Sequence, residues 1–250
     1  MIGGAACDGQ PRSHAAYRRG MGLPGSVRQA AAIVDRLLDF ALPTACVGCR
    51  REGAPLCEAC RPALDARLDR PGGAPLGLPL DLPPPLLQLE WCATYAGPVR
   101  RALRTLKYDG ELRLVEPLGR ALAMRWRAAG AGGDLFVHVP VHEQRARERG
   151  FDQAELLAGC AARHLGLPAI AALERSRATI AQFELDRRER SANVRHAFRL
   201  QRGAAGQIAG HWIVLIDDVV TTGSTLAECA QALLAGGAAG VSALTVARER

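Results

Sequence analysis

The stretch that decides the fold is Trp212-Ile213-Val214-Leu215-Ile216-Asp217-Asp218-Val219-Val220-Thr221-Thr222-Gly223-Ser224-Thr225. The apolar run over residues 212–216 predicts a strand that is buried on both faces of a sheet, which is typical of parallel sheets. A helix is predicted over residues 225–235 and a further strand over residues 241–246. Strand, helix and strand at this spacing form a βαβ unit, so the sequence predicts an α/β fold with a parallel sheet.

The residues that follow this strand form a candidate ligand site. Asp217 and Asp218 are expected at the carboxyl end of the strand, where open α/β sheets bind ligands, and they could accept hydrogen bonds from two vicinal ribose hydroxyls. A tight turn and the N-terminus of the next helix then favour a phosphate. The phosphate-binding candidates are Thr221, Thr222, Gly223, Ser224 and Thr225. The alternative is that the acids only end a strand and the hydroxyl residues only cap a helix.

Other segments extend the predicted α/β domain over residues 87–250. Alternation of apolar and polar residues predicts a strand at 89–95, and a short apolar run predicts one at 135–141. Apolar positions at helical spacing predict helices near 99–106, 114–126 and 154–165. Together these segments predict a Rossmann-type parallel sheet with helices on both faces.

Two CxxC pairs precede this domain, Cys46 with Cys49 and Cys57 with Cys60. Each pair places two thiolates on one tight turn, so two turns predict a tetrahedral four-sulfur site. Thiolate ligands suit Zn²⁺, and four protein ligands leave no open position, so we expect a structural zinc in a small zinc-ribbon-like module. An iron–sulfur cluster and redox-active cysteines are the alternatives.

The N-terminal part of the chain divides into three predicted segments. Residues 1–27 are rich in Gly, Ala and Arg and are expected to be disordered. Residues 28–68 are predicted to contain a short helix followed by the four-cysteine module. Residues 69–86 are dense in Pro and Gly and predict a linker.

Charge and hydropathy restrict the partners and the location. The net charge is +7, and Lys107 is the only lysine among the basic residues, so anionic partners are favoured unless the excess of Arg only reflects coding bias. Neither a secretory signal nor an apolar run long enough to span a bilayer is present in the sequence. We therefore expect a cytoplasmic protein without a membrane span.

The run from Val214 to Thr225 resembles the ribose-phosphate signature of type I phosphoribosyltransferases. The resemblance implies that Asp217 and Asp218 contact the ribose hydroxyls of a 5-phosphoribosyl diphosphate-like ligand, directly or through Mg²⁺. It also implies that residues 221–225 hold the 5-phosphate. Thr221 stands where hypoxanthine-type purine enzymes carry an Asp, which argues against that subgroup.

A wider resemblance, over roughly residues 35–248, is to the competence protein F (ComF/GntX) family. Its pieces include the cysteine pairs, Leu106-Lys107-Tyr108-Asp109-Gly110, Val139-Pro140-Val141-His142 and Arg149-Gly150-Phe151-Asp152-Gln153. The resemblance implies a phosphoribosyltransferase-like domain in a protein of DNA uptake by natural transformation. The family usually has Asn at the position of Asp152, so a hydrogen bond from a side-chain amide is not expected there.

Two further sets of candidate contacts follow from this resemblance. The segment that leaves the strand near residue 139 corresponds to a diphosphate-binding loop, with candidates Pro140, Val141, His142, Arg145 and Arg149. Residues 174–198 correspond to a flexible loop over the site, with candidates Gln182, Arg190 and Asn193. A solvated basic face, a structural histidine and an ordinary exposed hairpin are the alternatives.

Two functions are therefore open. The first is phosphoribosyl transfer, which needs Mg²⁺, a held 5-phosphate and a held diphosphate. The second is a non-catalytic sensor of a phosphoribosyl ligand, or a module that binds single-stranded DNA or a DNA-uptake protein. The sequence continues only four residues beyond Val246, so no C-terminal hood over a base is expected, and this favours the second.

Overall fold

A computed structural model describes residues 44–73, 82–175 and 197–249. Within these ranges the strands are β1 (Leu89–Thr94), β2 (Leu135–His138), β3 (Ala169–Ile170), β4 (Leu173–Arg175), β5 (Phe198–Leu200), β6 (Trp212–Val220) and β7 (Gly240–Arg248). The α-helices of the same ranges are α1 (Gly97–Arg104), α2 (Val115–Ala128), α3 (Glu143–Arg149), α4 (Gln153–Leu165), α5 (Ala205–Ile208) and α6 (Ser224–Ala235).

Five strands form one parallel sheet in the order β1-β7-β6-β2-β3, and β4 and β5 form a separate antiparallel pair. The predicted α/β fold with a parallel sheet is therefore confirmed. From β2 the chain continues to β3 at one edge, whereas from β6 it continues to β7 on the other side. The crevice between the carboxyl ends of β2 and β6 is thus a topological switch point, where sheets of this kind bind ligands.

Side chains of β6 alternate between two apolar cores, one on each face of the sheet. Val214 and Ile216 belong to the core that α2 and α4 cover. Ile213 and Leu215 belong to the core that α6 and the β4–β5 pair cover. Because both faces are covered, every position of the run must be apolar, which explains why the sequence shows no alternation there.

The lengths of β6 and β2 are among those that differ from the sequence prediction. β6 continues to Val220, because β7 extends far enough to pair Val220 with Arg248. β2 ends at His138, and the N–H of Val139 makes one more bond, to the carbonyl of Ile216. Pro140 then has no N–H to continue the ladder. Asp217 and Asp218 accordingly lie inside β6 rather than after it.

The described part of the cysteine module packs against the α/β domain. Cys46, Leu56, Cys57 and Leu64 share one apolar core with residues of α1 and α2. The predicted helix within residues 28–42, and residues 1–27, lie outside the described residues, and the division of the chain into domains stays a prediction. None of the helices described is both long and apolar enough to cross a membrane.

Candidate functional site

The acid pair lies in the second half of β6, among three cationic or polar partners. Asp218 is only 5% exposed, and its Oδ2 forms an ion pair with Nζ of Lys107. Gln153 Nε2 lies 3.5 Å from the same oxygen, and Gln153 Oε1 accepts a hydrogen bond of 2.9 Å from Nη1 of Arg149. A polar chain therefore runs from Arg149 through Gln153 to Asp218 and Lys107.

Asp217 has an unusual electrostatic environment. Burial raises its pKa well above the ordinary value, and the adjacent charge of Asp218 raises it further, while Lys107 acts in the opposite direction. Asp217 Oδ1 accepts a hydrogen bond of 2.7 Å from the N–H of Asp218. Two neighbouring carboxylates that resist joint ionisation are typical of sites that bind a cation or the hydroxyls of a ligand.

The loop after β6 leaves the N-terminus of α6 open. Gly223 precedes α6 with φ of +82°, and the helix has no side-chain cap at this position. A side chain at Gly223 would also collide with Pro83, because its Cβ would lie 2.6 Å from Pro83 Cγ. Thr221, Thr222 and Ser224 are exposed, and Thr225 is partly exposed. The hydroxyls of Thr222 and Ser224 lie 2.9 Å apart, and the Thr222 hydroxyl lies 3.4 Å from the N–H of Ser224. The loop thus places exposed hydroxyl side chains at the N-terminus of α6.

The segment after β2 is attached to the start of α4 by Asp152. Asp152 Oδ2 accepts a hydrogen bond of 2.9 Å from the N–H of Val141, and Asp152 Oδ1 caps α4 through the N–H of Ala154 at 2.8 Å. The carboxylate of Asp152 thus accepts both hydrogen bonds at the position where the family usually has the side-chain amide of Asn. Pro140 is buried, and His142 caps α3 by accepting from the N–H of Gln144 at 3.2 Å. Capping gives His142 a structural role.

A cleft of about 610 Å³ is lined by Lys107, which pairs with Asp218, and by Tyr108, Arg145, Arg149 and Phe151, among others. Lys107 and Tyr108 belong to a π-helical turn, Thr105–Asp109, that extends α1. Such turns are frequent at functional sites. The wider turn directs Lys107 to Asp218 and leaves Tyr108 68% exposed. The guanidinium groups of Arg104 and Arg149 lie 5.6 and 5.3 Å from the centre of its ring.

The remaining diphosphate candidates stand on α3. Arg145 is exposed and lines the cleft, whereas Arg149 is partly buried. Gln182, Arg190 and Asn193 lie outside the described residues, between β4 and β5. Their roles, and those of the other residues predicted for ligand binding, stay predictions.

The four sulfur atoms of Cys46, Cys49, Cys57 and Cys60 lie within 4.8 Å of one another, so the cluster can hold a metal ion such as zinc. The N–H groups of Gly48 and Cys57 each lie 3.3 Å from the sulfur of Cys46. Although burial acts to raise the pKa of Cys46, the N–H groups of Cys57, Cys49 and Gly48 lower it to about 6. Such N–H contacts stabilise the thiolate form that binds metal.

Gly48 is required for this convergence, since a Cβ there would lie 2.4 Å from the sulfur of Cys60. Arg101 of α1 holds the first turn by donating to the carbonyls of Val47 and Gly48, at 2.8 and 2.9 Å. The cysteine cluster and the α/β domain are therefore joined by both polar and apolar contacts.

Three parts of this site were not among the predicted site residues, namely the charge of Lys107 against Asp218, the amide of Gln153 and the exposed ring of Tyr108. Lys107 and Tyr108 lie in one segment of the family resemblance, and Lys107 is the sole lysine, which was a usable signal. Gln153 also lies in a segment of the family resemblance, but its place at the start of α4 does not by itself indicate that it reaches β6.

A protein named DNA utilization protein YhgH from Escherichia coli K12 is 36% identical over 210 residues, which cover 81% of this chain and 88% of the relative. The chain belongs to the YhgH/ComF family. Within this family, competence protein F from Haemophilus influenzae is 26% identical over 196 residues, covering 75% of this chain and 83% of that protein. No model in a scan of protein families matches the chain.

Solved phosphoribosyltransferases are among the structures that match the chain, with low TM-scores. The adenine phosphoribosyltransferase from Thermoanaerobacter pseudethanolicus matches with a TM-score of 0.36 and 15% identity, covering 56% of this chain and 83% of that chain. Glutamine phosphoribosylpyrophosphate amidotransferase from B. subtilis matches with a TM-score of 0.37 and 22% identity, covering 53% of this chain and 26% of that chain. Likeness at this level says nothing about the function of the YhgH/ComF chain.

Proposed function

We propose that this YhgH/ComF protein binds a 5-phosphoribosyl diphosphate-like ligand at the switch point between β2 and β6. The observation that carries the proposal is the pairing of Asp217 and Asp218 with an uncapped helix N-terminus one short loop away. Carboxylates suit the two ribose hydroxyls, and first-turn N–H groups suit a phosphate. A sheet that used these residues only for folding would have no need to keep two acids together at its carboxyl edge.

The proposed contacts divide the ligand among three elements. Residues 221–225 hold the 5-phosphate, and Asp217 and Asp218 hold the ribose. Arg145 and Arg149, with the loop at Pro140, Val141 and His142, meet the diphosphate, since guanidinium groups bind phosphate oxygens through two parallel bonds. Gln182, Arg190 and Asn193 are proposed to close over the ligand from the segment between β4 and β5.

Mg²⁺ is the cation that the acid pair would hold together with such a ligand. It prefers oxygen ligands and usually combines one or two carboxylates with substrate phosphates. Bound there, Mg²⁺ would supply neutralising charge for a departing diphosphate. Lys107 already gives Asp218 a positive partner, so Mg²⁺ would share this carboxylate with the ammonium group of Lys107.

The biological role that we propose follows the names of the relatives. YhgH is named for DNA utilization, and the Haemophilus influenzae relative is named competence protein F. We therefore propose that ligand binding by this chain serves DNA uptake or the use of DNA taken up, in the cytoplasm, and that the four-cysteine module holds a structural Zn²⁺.

Calorimetric titration with phosphoribosyl diphosphate and Mg²⁺ tests the binding proposal. We expect saturable binding that falls at least tenfold in Asp218→Asn and in Ser224→Ala, because a ribose contact and a phosphate contact are lost. Asp69→Asn removes an exposed carboxylate far along the chain and is the matched control, with unchanged binding expected. A flat titration with the wild-type protein would contradict the proposal.

Release of diphosphate separates an enzyme from a sensor. The wild-type protein and Asp217→Asn are incubated with phosphoribosyl diphosphate, Mg²⁺ and a panel of nucleobases. Turnover that is lost in the variant indicates transfer, in which the bond between ribose C1 and the diphosphate oxygen breaks and a base nitrogen forms the new bond to C1. Binding without release indicates a sensor.

A second candidate function, binding of single-stranded nucleic acid, is favoured by the surroundings of Tyr108. Besides the cleft described above, Tyr108 lines a second cleft of about 560 Å³ with Arg50, Arg101 and Arg104. Basic side chains outnumber the acidic Asp109 and Glu148 in these clefts, so the exposed ring is suited to stacking a base while arginines contact the backbone.

This candidate predicts that Tyr108→Ala weakens binding of single-stranded DNA by about 1–3 kcal/mol, the usual contribution of one stacked base. Arg147→Ala is the matched control, since Arg147 is exposed on α3 and pairs with Glu143. Measured by fluorescence anisotropy at several salt concentrations, the logarithm of the binding constant should fall linearly with log[salt]. Equal loss in both variants would contradict a specific role for Tyr108.

A further inference from the structure

A second group of metal-binding side chains lies between α2 and α4, apart from the four-cysteine cluster. It consists of Glu116, Cys160 and His164, whose ligand atoms lie within 4.8 Å of one another. His164 Nε2 is 2.8 Å from Glu116 Oε1, and the sulfur of Cys160 is 3.3 Å from Glu116 Oε2. A carboxylate, an imidazole and a thiol thus meet at one point.

The backbone brings these residues together in two ways. Cys160 and His164 are four positions apart on α4, so they lie on the same face of the helix. Glu116 is in the first turn of α2, and α2 approaches α4 closely at Gly119. A Cβ at Gly119 would lie 2.5 Å from both Cβ and the sulfur of Cys160. Glycine inside a helix costs about 1 kcal/mol relative to alanine. Here the absence of a Cβ allows the two helices to come this close.

We propose that Glu116, Cys160 and His164 form a site for one divalent transition-metal ion of the Zn²⁺ type. Zinc binds Cys, His and Glu, and its bond lengths place ligand atoms about 3.3–3.6 Å apart in a tetrahedron. The contact of 3.3 Å from Cys160 to Glu116 Oε2 lies at the lower end of this spacing, and the contact of 2.8 Å from His164 to Glu116 Oε1 is about 0.5 Å shorter, so the imidazole and the carboxylate would move apart slightly around an ion. A thiolate and a carboxylate together neutralise the charge of the ion, and neutral imidazole adds a third bond.

The burial of the three residues makes the site accessible from one side only. Cys160 is fully buried, whereas the side chains of Glu116 and His164 are 60% and 36% exposed. An ion would therefore enter past the carboxylate and the imidazole and reach the thiolate beneath them. Three protein ligands leave one position for water or an exchangeable ligand, in contrast with the closed site that four cysteines form.

The number of zinc ions per full-length chain tests the site, measured by elemental mass spectrometry and by competition with a chromophoric chelator. The wild-type protein is expected to hold two equivalents. Cys160→Ala and His164→Gln are expected to hold one, and Glu116→Gln to bind the second at least tenfold more weakly. In Co²⁺-substituted protein, Cys160→Ala should also lose the thiolate-to-cobalt absorbance of a single sulfur.

Controls separate this site from the rest of the chain. Cys49→Ser should remove the other equivalent only, while Cys92→Ala and His211→Gln should keep both. His164→Gln and Glu116→Gln change exposed side chains, so the test does not depend on a variant that fails to fold. A single equivalent in the wild-type protein, or a second one that persists in His164→Gln, would overturn the proposal. Neither result bears on the phosphoribosyl ligand.

Discussion

At the scale of single residues, the site depends on two adjacent acids that the fold treats differently. Asp218 has Lys107 and Gln153 as partners, whereas Asp217 faces burial and the charge of its neighbour. The protein therefore keeps a carboxylate whose ionisation disfavours the folded state, and such a cost is typical of functional sites.

Asp217→Asn is expected to raise the unfolding temperature, and to raise it more as pH increases. The folded pKa of Asp217 lies above the ordinary value of 3.8, so the wild-type carboxyl lowers stability as pH rises from about 4 through the raised pKa. Below pH 4 the acid is protonated in both states and the variant gains little. Thermal unfolding from pH 4 to 8, with Asp69→Asn as control, measures the difference. An equal gain at all pH values would contradict the raised pKa.

At the scale of elements, the junction of β6 and α6 determines the geometry of the site. The strand delivers the acids, the loop turns sharply at Gly223, and the helix begins without a side-chain cap. Gly223 also contacts Pro83, which belongs to the predicted linker. This one glycine therefore combines a positive φ with a close approach.

Gly223→Ala is expected to destabilise the protein more than Gly210→Ala. Both glycines have positive φ, +82° and +74°, which costs about 1–2 kcal/mol for alanine. A Cβ at Gly210 meets nothing within 4 Å, whereas at Gly223 it meets Pro83, and overpacking of this kind adds about 1–3 kcal/mol. Urea unfolding of the two variants gives the comparison. Equal losses of unfolding free energy in the two variants would show that Pro83 moves aside without destabilising the protein.

At the scale of the whole molecule, a buried ion pair joins three segments. Arg125 of α2 and Glu90 of β1 are fully buried and form an ion pair. Arg125 also donates to the carbonyls of Arg67 and Arg70, both at 2.6 Å, and Glu90 accepts from the N–H of Gly73 at 2.7 Å. The network attaches the segment after the cysteines to the sheet.

Arg125→Met is expected to cost about 3–5 kcal/mol, because it leaves the carboxylate of Glu90 buried without its cation. Glu90→Leu combined with Arg125→Met should recover part of that loss, since neither charge then remains. Denaturant unfolding of the two single variants and the double variant measures the coupling. If the loss of unfolding free energy in the double variant equals the sum of the losses in the two single variants, a direct interaction between Arg125 and Glu90 is contradicted.

Loss of the four-cysteine metal site is expected to destabilise the whole chain. Cys49→Ser changes an exposed residue and removes one ligand without creating a cavity. Because Cys46 and Cys57 share a core with α1 and α2, the variant should unfold in one cooperative transition at a lower temperature. Its free energy of unfolding should fall by more than about 2 kcal/mol. Glu58→Ser, an exposed change in the same module, is the control for calorimetry. An unchanged transition would show that the module folds independently.

The sequence by itself determined the sheet, the βαβ unit, the acid pair, the loop that follows it and the four-cysteine cluster. Each of these is encoded locally, by an unbroken apolar run, by a turn glycine or by cysteine spacing, so neighbours along the chain suffice to predict it. The ends of β6 and β2 were less predictable, because a strand stops where its partner strand stops offering backbone bonds.

Only the tertiary structure decided which distant residues meet. Lys107 reaches Asp218 across 111 positions of the chain, and Cys160 reaches Glu116 across 44. Nothing in local spacing encodes such contacts, because they arise when helices with apolar faces pack on a common sheet and carry their polar residues along. The strand order then places the carboxyl ends of β2 and β6 side by side, and the candidate site lies where they meet.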